Sequence, residues 1–254
     1  MNILIYGAGT IGMHICHLLD NKDNNIYVFI RNKDYDLDKL KINLTIRDNS
    51  KLLSKHRIIN NQNITFINNL KLLKKIKLNY IFVTAKIIDN TNQILKKIRN
   101  IMSYNTFVIT PCTILPDWWL AKYGDNNKFK IIIPTKKSIC MNMWISGVKK
   151  GNNIIIRHTQ RGYPIKEINK SGFEAALKLR QMIKKKSKSP LIKNSYSEIY
   201  LKVINSFAFN LIAIKYNQNN NQLAKNKLAI SDIKVIMSEF DRAVLDLGLE
   251  ITQS

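Results

Sequence analysis

The sequence predicts an α/β protein in which a doubly wound parallel sheet is followed by a small all-α domain. The first observation is a short apolar run at the N-terminus that breaks into a glycine-rich turn and then a helical pattern. The second is that apolar runs of strand length alternate with helical patterns as far as Pro111. Such alternation is typical of a parallel sheet with helices on its faces. The third is that helical patterns take over after Pro190.

The N-terminal stretch Asn2–Gly12, NILIYGAGTIG, places a G-x-G-x-x-G signal between a strand and a helix. In such a turn Gly7 allows the tight bend, Gly9 lets the backbone approach a pyrophosphate, and Gly12 lets the helix pack closely on the strand. The helix N-terminus then offers N–H groups and a positive dipole end to phosphates. Because this signal is weak alone, a glycine turn that binds nothing is the alternative. We expect a Rossmann-type dinucleotide site.

The second strand, Asn25–Ile30, ends at Arg31, about 20 residues beyond the glycines, where a dinucleotide fold keeps the residue that reads the ribose. An acidic residue there would bind the 2′-hydroxyl of NAD, whereas an arginine pairs with a 2′-phosphate. The alternative is that Arg31 is one more surface cation in a basic chain. We interpret the cofactor as NADPH.

Two later positions are expected to join the same crevice, because ligands of such sheets bind beyond the carboxyl ends of the strands. The buried strand Asn79–Thr84 leads to Lys86, and the strand Thr106–Thr110 leads through Pro111 to Cys112. Lys86 could also be an ordinary surface lysine. The predicted cofactor-binding residues are therefore Gly7, Ala8, Gly9, Thr10, Ile11, Gly12, Arg31, Lys86 and Cys112.

The remaining apolar runs are interpreted as further strands of the same sheet. Lys41–Ile46 and Asn63–Ile67 are predicted strands, and the runs at 130–133 and 153–156 are interpreted as its later strands, antiparallel ones included. A helix is predicted over Ser171–Lys185, and Lys186–Pro190 follows as the expected hinge. The predicted domains are a dinucleotide-binding domain at 1–188 and a helical substrate or dimerisation domain at 189–254.

The composition limits the class of protein. Hydrophobic residues make up 45% of the 254. We expect no apolar run to span a membrane and, because the first strand follows Met1 without a cationic leader, we expect no signal peptide. Three widely spaced cysteines indicate neither a disulfide framework nor a zinc cluster and fit a reducing cytoplasm. His14 and His17 beside Cys16 are not interpreted as metal ligands, since no further ligand is spaced nearby.

The net charge of +24, from 41 Lys and Arg against 17 Asp and Glu, raises the question of nucleic-acid binding. The lysines are spread almost evenly rather than clustered, so nucleic acid is not the favoured partner. A basic field would also attract an anionic cofactor and substrate.

The C-terminal part contains a mostly apolar helix, Ser197–Tyr216, with a polar stripe. Lys202, Ser206 and Asn210 stand four residues apart and therefore share one helix face. This face is either the solvent face of the helix or the lining of a cleft. Several asparagines follow in the next turn, Asn220 among them, so a hydrogen-bonding site is one interpretation.

These residues resemble the ketopantoate reductases, NADPH-dependent enzymes of pantothenate biosynthesis that make pantoate from 2-dehydropantoate. The resemblance covers residues 1 to about 250 and is most specific at the GAGTIG turn and the lysine helix. It implies that Lys202 is the catalytic proton donor to the substrate keto oxygen, that Lys86 contacts the cofactor, and that Asn210 and Asn220 bind substrate. Ser206 stands where the family has a further asparagine.

Two departures from the family pattern accompany the resemblance. The family has Asn-Gly in the crevice where this chain has Cys112-Thr113. The family also continues with a serine loop and a glutamate that bind substrate, so we expect a divergent, C-terminally abbreviated member. Those contacts would then come from elsewhere, for example from the partner of a homodimer, or the substrate would differ.

The predicted function is the NADPH-dependent reduction of a small 2-keto acid, in the first place 2-dehydropantoate, by a cytoplasmic enzyme. An NADP(H)-binding sensor or interaction protein that has lost catalysis is the alternative. A nucleic-acid binder would require a clustered charge.

Overall fold

The computed structural model describes residues 1–31, 36–48, 51–85, 91–111, 132–158, 161–193, 195–246 and 248. The chain divides into two compact units, Met1–Leu191 and Ile192–Ser254. The division falls a few residues after the predicted boundary.

Among the described residues, seven strands form the central sheet of the first unit, in the spatial order β11 (Ile165–Glu167), β8 (Ser138–Met141), β7 (Phe107–Ile109), β6 (Tyr80–Val83), β1 (Asn2–Tyr6), β2 (Asn25–Phe29) and β5 (Ile64–Ile67). All neighbours in it are parallel except the antiparallel pair β11 and β8. β6 is buried along its whole length, and so is β1 except at Asn2, as expected for central strands covered on both faces. The predicted parallel α/β architecture is confirmed.

A separate sheet in the same unit, which the sequence did not predict, has four described strands in the order β4 (Lys51–Ile59), β3 (Lys41–Asp48), β10 (Asn153–His158) and β9 (Ile145–Lys150). The runs at 41–46 and 153–156, which the sequence analysis predicts for the main sheet, pair here with each other instead. In β3 every second residue is buried, a pattern that marks a strand with one buried face but does not reveal which sheet it joins.

The helix α1 (Thr10–Leu19) contacts strands of both sheets. This explains why it is buried almost all round, from Gly12 to Leu19 with the exception of His17. The helix α3 (Phe173–Lys184) packs on the same side of the main sheet, within the larger hydrophobic core. The helix α2 (Thr91–Arg99) contributes Leu95 and Ile98 to a second core on the opposite side. Helices on both faces make the main sheet doubly wound.

The second unit is built from helices α4 (Ser195–Tyr216), α5 (Asn220–Leu223) and α6 (Lys227–Asp246). Its small core includes Ala208 and Ile212 of α4, Leu223 of α5, and Ala229 and Ile233 of α6. The predicted small all-α region after the sheet domain is confirmed.

By length and composition alone, Ser197–Tyr216 of α4 is also apolar enough to cross a membrane, with a mean hydropathy of 1.2 over its best window. The expectation that no apolar run of the chain is long enough to span a membrane was therefore wrong. Core helices pass the same test, and a third of that window is buried in the protein, so the finding is weak evidence for a span.

Candidate functional site

The glycine turn after β1 folds as the sequence predicts. Gly7 adopts a φ of +125°, a conformation that side chains disfavour, and its N–H donates to the carbonyl of Phe29 at 3.2 Å. At Gly12 a Cβ would stand 1.9 Å from the Gly7 carbonyl oxygen, so only glycine lets α1 begin this close to the end of β1. The turn and the helix are thus locked together by backbone contact.

Gly9 differs from its two neighbours in the motif. Apart from Gly9 itself and its two chain neighbours, no atom of the described residues lies within 4 Å of where its Cβ would be, so the space in front of it is open. Gly9 is also the N-cap of α1, and no side chain of the described residues caps the helix start. The first turn contains no acidic residue either. Uncapped N–H groups beside open space form a site for an anion, and the turn fits a dinucleotide pyrophosphate.

Thr84, just beyond the end of β6, holds the turn from the neighbouring strand. Its hydroxyl donates to the carbonyl of Gly7 at 2.8 Å and, less closely, to that of Tyr6 at 3.3 Å. The N–H of Ala85 also donates to the Tyr6 carbonyl, at 2.9 Å. Thr84 was not singled out from the sequence, although its position directly after a buried strand was a signal that could have identified it.

A crevice of about 490 Å³ opens in front of this turn, at the carboxyl ends of β1, β2 and β6. Tyr6 and Phe29 line it with rings stacked at 4.7 Å between centroids. Burial raises the pKa of the Tyr6 phenol above its ordinary value, although nearby Arg31 acts in the opposite direction. The phenol is therefore neutral at physiological pH. The complete lining comprises Tyr6, Gly7, Ala8, Gly9, Phe29, Ile30, Arg31, Thr84, Ala85, Gln93, Ile94, Lys97 and Lys149.

Cations from three elements line the crevice. Arg31 is exposed and follows β2, Lys97 stands on α2, and Lys149 reaches in from β9 of the second sheet. Arg31 was predicted, whereas Lys97 and Lys149 were not. Lys97 is one of two adjacent lysines in the last turn of α2, and Lys149 lies on a strand that the sequence does not place near the turn. The predicted positions Lys86 and Cys112 lie outside the described residues.

In the second unit, Lys202, Ser206 and Asn210 lie along one face of α4, as predicted. Ile204, Ala208 and Ile212 form the buried stripe of the same helix, and each stands two residues after a member of the polar stripe. Two residues turn a helix by about 200°, so the polar stripe faces away from the core of its own unit. Ser206 and Lys202 are half-buried and Asn210 is exposed.

Asn220 is the first residue of the short helix α5 and is exposed. Its neighbour Asn219 caps that helix by accepting from the N–H groups of Asn221 and Gln222, while the Gln222 side chain accepts from the N–H of Asn219. One of the asparagines after α4 therefore has a local structural role, whereas Asn220 stays a predicted substrate ligand.

The two histidines of α1 contact other side chains, His14 that of Tyr163 and His17 the ring of His56, with 3.8 Å between the two imidazole centroids. Nε2 of His14 lies 2.6 Å from the hydroxyl of Tyr163, both side chains being fully buried. Cys16 stands between His14 and His17 in the sequence. Its thiol is buried, and burial raises the pKa of the thiol far above the ordinary value. Within the described ranges no three His, Cys, Asp or Glu residues are grouped as a metal site would require.

Comparison with protein families supports the interpretation of this crevice. Residues 3–111, which contain the glycine turn, Arg31 and Thr84, match the family described as ketopantoate reductase PanE/ApbA. The resemblance inferred from the sequence is thereby confirmed over the part of the chain that forms most of the crevice. No curated protein matches the chain in sequence.

Solved structures share the fold across nearly the whole chain at low sequence identity. A protein assigned as a ketopantoate reductase from Ralstonia solanacearum MolK2 is 14% identical, with a TM-score of 0.77 over 99% of this chain and 79% of its own. The 2-dehydropantoate 2-reductase of Methylococcus capsulatus is 18% identical, with a TM-score of 0.70 over 100% of this chain and 76% of its own. A D-mandelate dehydrogenase solved with NADH and anilino(oxo)acetate is 17% identical, with a TM-score of 0.72 over 98% of this chain and 75% of its own. At these identities the likeness shows the fold.

Proposed function

We propose that this chain, whose residues 3–111 match the ketopantoate reductase family, is an NADPH-dependent oxidoreductase that reduces a small 2-keto acid. The observation that carries the proposal is the crevice at the glycine turn, which joins uncapped helix N–H groups, open space at Gly9 and the cation Arg31. A nicotinamide dinucleotide is the cofactor class that such a turn accepts.

We assign the cofactor as NADPH because the chain presents arginine, and not a carboxylate, after β2. Arg31 can form two parallel hydrogen bonds with a phosphate, whereas it offers no acceptor to a ribose 2′-hydroxyl. Lys97 lines the same crevice and adds a second positive charge there. When bound, NADPH supplies the hydride that the reduction requires.

The Arg31 assignment is tested by Arg31→Asp. The carboxylate would repel the 2′-phosphate but could accept a hydrogen bond from the 2′-hydroxyl of NADH. We expect NADPH affinity to fall roughly 10- to 100-fold, the worth of a charged hydrogen bond, with NADH affinity unchanged or improved. An unchanged preference in fluorescence titrations with both cofactors would contradict the NADPH assignment.

The roles in the second unit follow from the resemblance and from the polar stripe on α4. Lys202 would hold a proton near the keto oxygen as an ammonium, stabilise the developing alkoxide and donate that proton. The side chains of Ser206, Asn210 and Asn220 would hydrogen-bond the oxygens of the substrate. These groups donate readily to a carboxylate, which suits an anionic keto acid.

The finer proposal is that the substrate is 2-dehydropantoate, so that the product is pantoate for pantothenate synthesis. It is supported by the family match and by the two positions Lys202 and Asn210 on one helix face. The same proposal includes a cytoplasmic enzyme that acts as a homodimer. Exposed apolar side chains of the helical unit, such as Ile214 and Leu228, are consistent with a subunit contact.

The decisive experiment is to mix the purified protein with NADPH and a panel of 2-keto acids and to follow the nicotinamide absorbance. The panel contains 2-dehydropantoate and the keto acid that corresponds to mandelate. Turnover of 2-dehydropantoate above all others supports the proposal, and turnover of another member corrects only the substrate. Tight NADPH binding with no turnover of any 2-keto acid would instead indicate the sensor alternative.

A further inference from the structure

The four-stranded sheet approaches the glycine turn through β9. The ammonium of Lys149 donates to the carbonyl of Ala8, inside the turn, with 2.9 Å between Nζ and the oxygen. Two residues earlier, a Cβ on Gly147 would stand 2.4 Å from Cγ2 of Thr10, at the start of α1. The lack of a side chain at Gly147 therefore lets β9 lie directly on the motif, with Lys149 over the turn.

The pairing within the sheet explains why Lys149, and not its neighbour, reaches the crevice. Lys149 pairs with Ile154 and Gly147 with Ile156, and both isoleucines are fully buried within the larger core. Directly paired residues share a face of a sheet, so Lys149 stands on the face that covers α1. Lys150 pairs with Asn153 and points to the other side.

The position of Lys149 suits an anion. An ammonium carries three N–H donors, so it can hold the Ala8 carbonyl and an anionic oxygen at the same time. Partial burial lowers its pKa from the ordinary value, and a nearby negative charge would reverse that shift. The uncapped N–H groups of α1 lie in the same turn. Two independent sources of positive potential thus meet at one place.

We propose that Lys149 binds the pyrophosphate of the nicotinamide dinucleotide, so that the four-stranded sheet forms part of the cofactor site. This inference rests on the proposed function, because it needs a dinucleotide in the crevice. The proposal gives two cations of the crevice different roles in cofactor binding. Lys149 binds the diphosphate common to NADPH and NADH, whereas Arg31 binds the 2′-phosphate that only NADPH carries.

The consequence is a distinctive pattern of affinities. Loss of the Lys149 ammonium should weaken NADPH and NADH by the same factor, roughly 10-fold or more, because a hydrogen bond between charged groups is lost in both complexes. Loss of Arg31 should weaken NADPH selectively. The two variants therefore differ in cofactor preference and not only in affinity.

The test is a fluorescence or calorimetric titration of NADPH and of NADH into the full chain carrying Lys149→Met, which keeps an apolar stem of similar length. Lys150→Met is the matched control on the other face of β9, and thermal unfolding checks that each variant is folded. Lys149→Arg keeps the charge and should retain most of the affinity, whereas a merely structural role for the lysine stem would leave the affinity of Lys149→Met unchanged as well.

Equal weakening of both cofactors by Lys149→Met, with Lys150→Met close to wild type, supports the proposal. Unchanged binding of both cofactors would overturn it, and so would a loss confined to NADPH, which would move Lys149 to the 2′-phosphate. If the wild-type chain binds neither cofactor, the proposed function itself fails. These results are distinguishable because the wild-type titration is made first.

Discussion

The glycine-turn crevice and the polar stripe of α4 are both predicted sites, but they are built in different ways. The crevice is made largely of backbone: Gly7 and Gly12 meet at a distance that forbids any side chain at position 12, and Gly7 needs an unusual φ. The stripe of Lys202, Ser206 and Asn210 is made of side chains on a regular helix, and its backbone has no special requirement. A substitution in the glycine turn is therefore expected to disturb the fold. A substitution in the stripe of α4 is expected to remove a functional group while the helix stays folded.

The comparison predicts its largest effect at Lys202. Lys202→Met should lower turnover by about 100- to 10,000-fold, the usual range for a lost general acid, because the proton and the charge at the keto oxygen are both lost. NADPH affinity and thermal stability should change little, since the stripe faces away from the core of its unit. Steady-state kinetics, a cofactor titration and a melting curve measure the three quantities. Lys234→Met on the exposed face of α6 is the control, and turnover within a few-fold of wild type would refute the role of Lys202.

The second prediction sets two glycines of the turn against each other. Gly12→Ala puts a Cβ into the Gly7 carbonyl and should cost about 1–3 kcal/mol of stability, with NADPH binding lost as the turn shifts. Gly9→Ala places its Cβ in open space and should cost under about 1 kcal/mol, yet it should still weaken NADPH because the pyrophosphate must approach there. Denaturant unfolding and cofactor titration distinguish the two. Equal stability losses would show that the turn is looser than its geometry implies.

Thr84→Val should have a smaller effect. The change keeps the shape of the side chain but removes the hydroxyl that donates to the Gly7 carbonyl at 2.8 Å. We expect a loss of about 1 kcal/mol in the free energy of unfolding, which corresponds to a fall of roughly 2–4 °C in Tm for a chain of this size. Thr84→Ser keeps the hydroxyl and should lose less. If both variants melt with the wild type, the hydroxyl does not stabilise the turn.

The smallest effect is expected at Asp232 in the helical unit. Its Oδ2 accepts from Lys215 at 2.6 Å and from the Tyr216 hydroxyl at 2.9 Å, and these bonds lower the pKa of the carboxyl. A lowered pKa in the folded protein means stabilisation that is present above the ordinary carboxyl pKa and is lost as the pH falls through the folded value. Asp232→Asn should therefore melt slightly below wild type at neutral pH and converge with it in acid. A difference that grows in acid would contradict this assignment.

Sequence patterns predicted the main sheet and the glycine turn because both depend on local signals. The apolar strands β1, β2 and β6, the three glycines and the position of Arg31 can be recognised within short windows of the chain. The stripe on α4 was recognisable for the same reason, since a spacing of four defines a helix face.

The second sheet could not be predicted, because its key pairing joins β3 to β10. The side chains of Asn43 and Asn153, which hydrogen-bond across that pair, are 110 residues apart. Alternating burial in β3 indicates one covered face but carries no information on the partner strand. The position of Lys149 depends on that pairing, and the residue was consequently missed although it touches the turn.

The pairing of β3 with β10 also bears on the order in which the molecule assembles. Closing a loop of this length costs more entropy than forming the β3–β4 hairpin or the β9–β10 hairpin, each of which is local. During synthesis, the first 111 residues already contain β1, β2, β5, β6 and β7, which can associate early. The edge of β3 that pairs with β10 stays unpaired until β10 has been synthesised. Pulsed hydrogen exchange during refolding should show the β3 amides that bond to β10 protected together with those of β10, and after those of β1. The strand that carries Lys149 would then reach the glycine turn as one of the last events of folding.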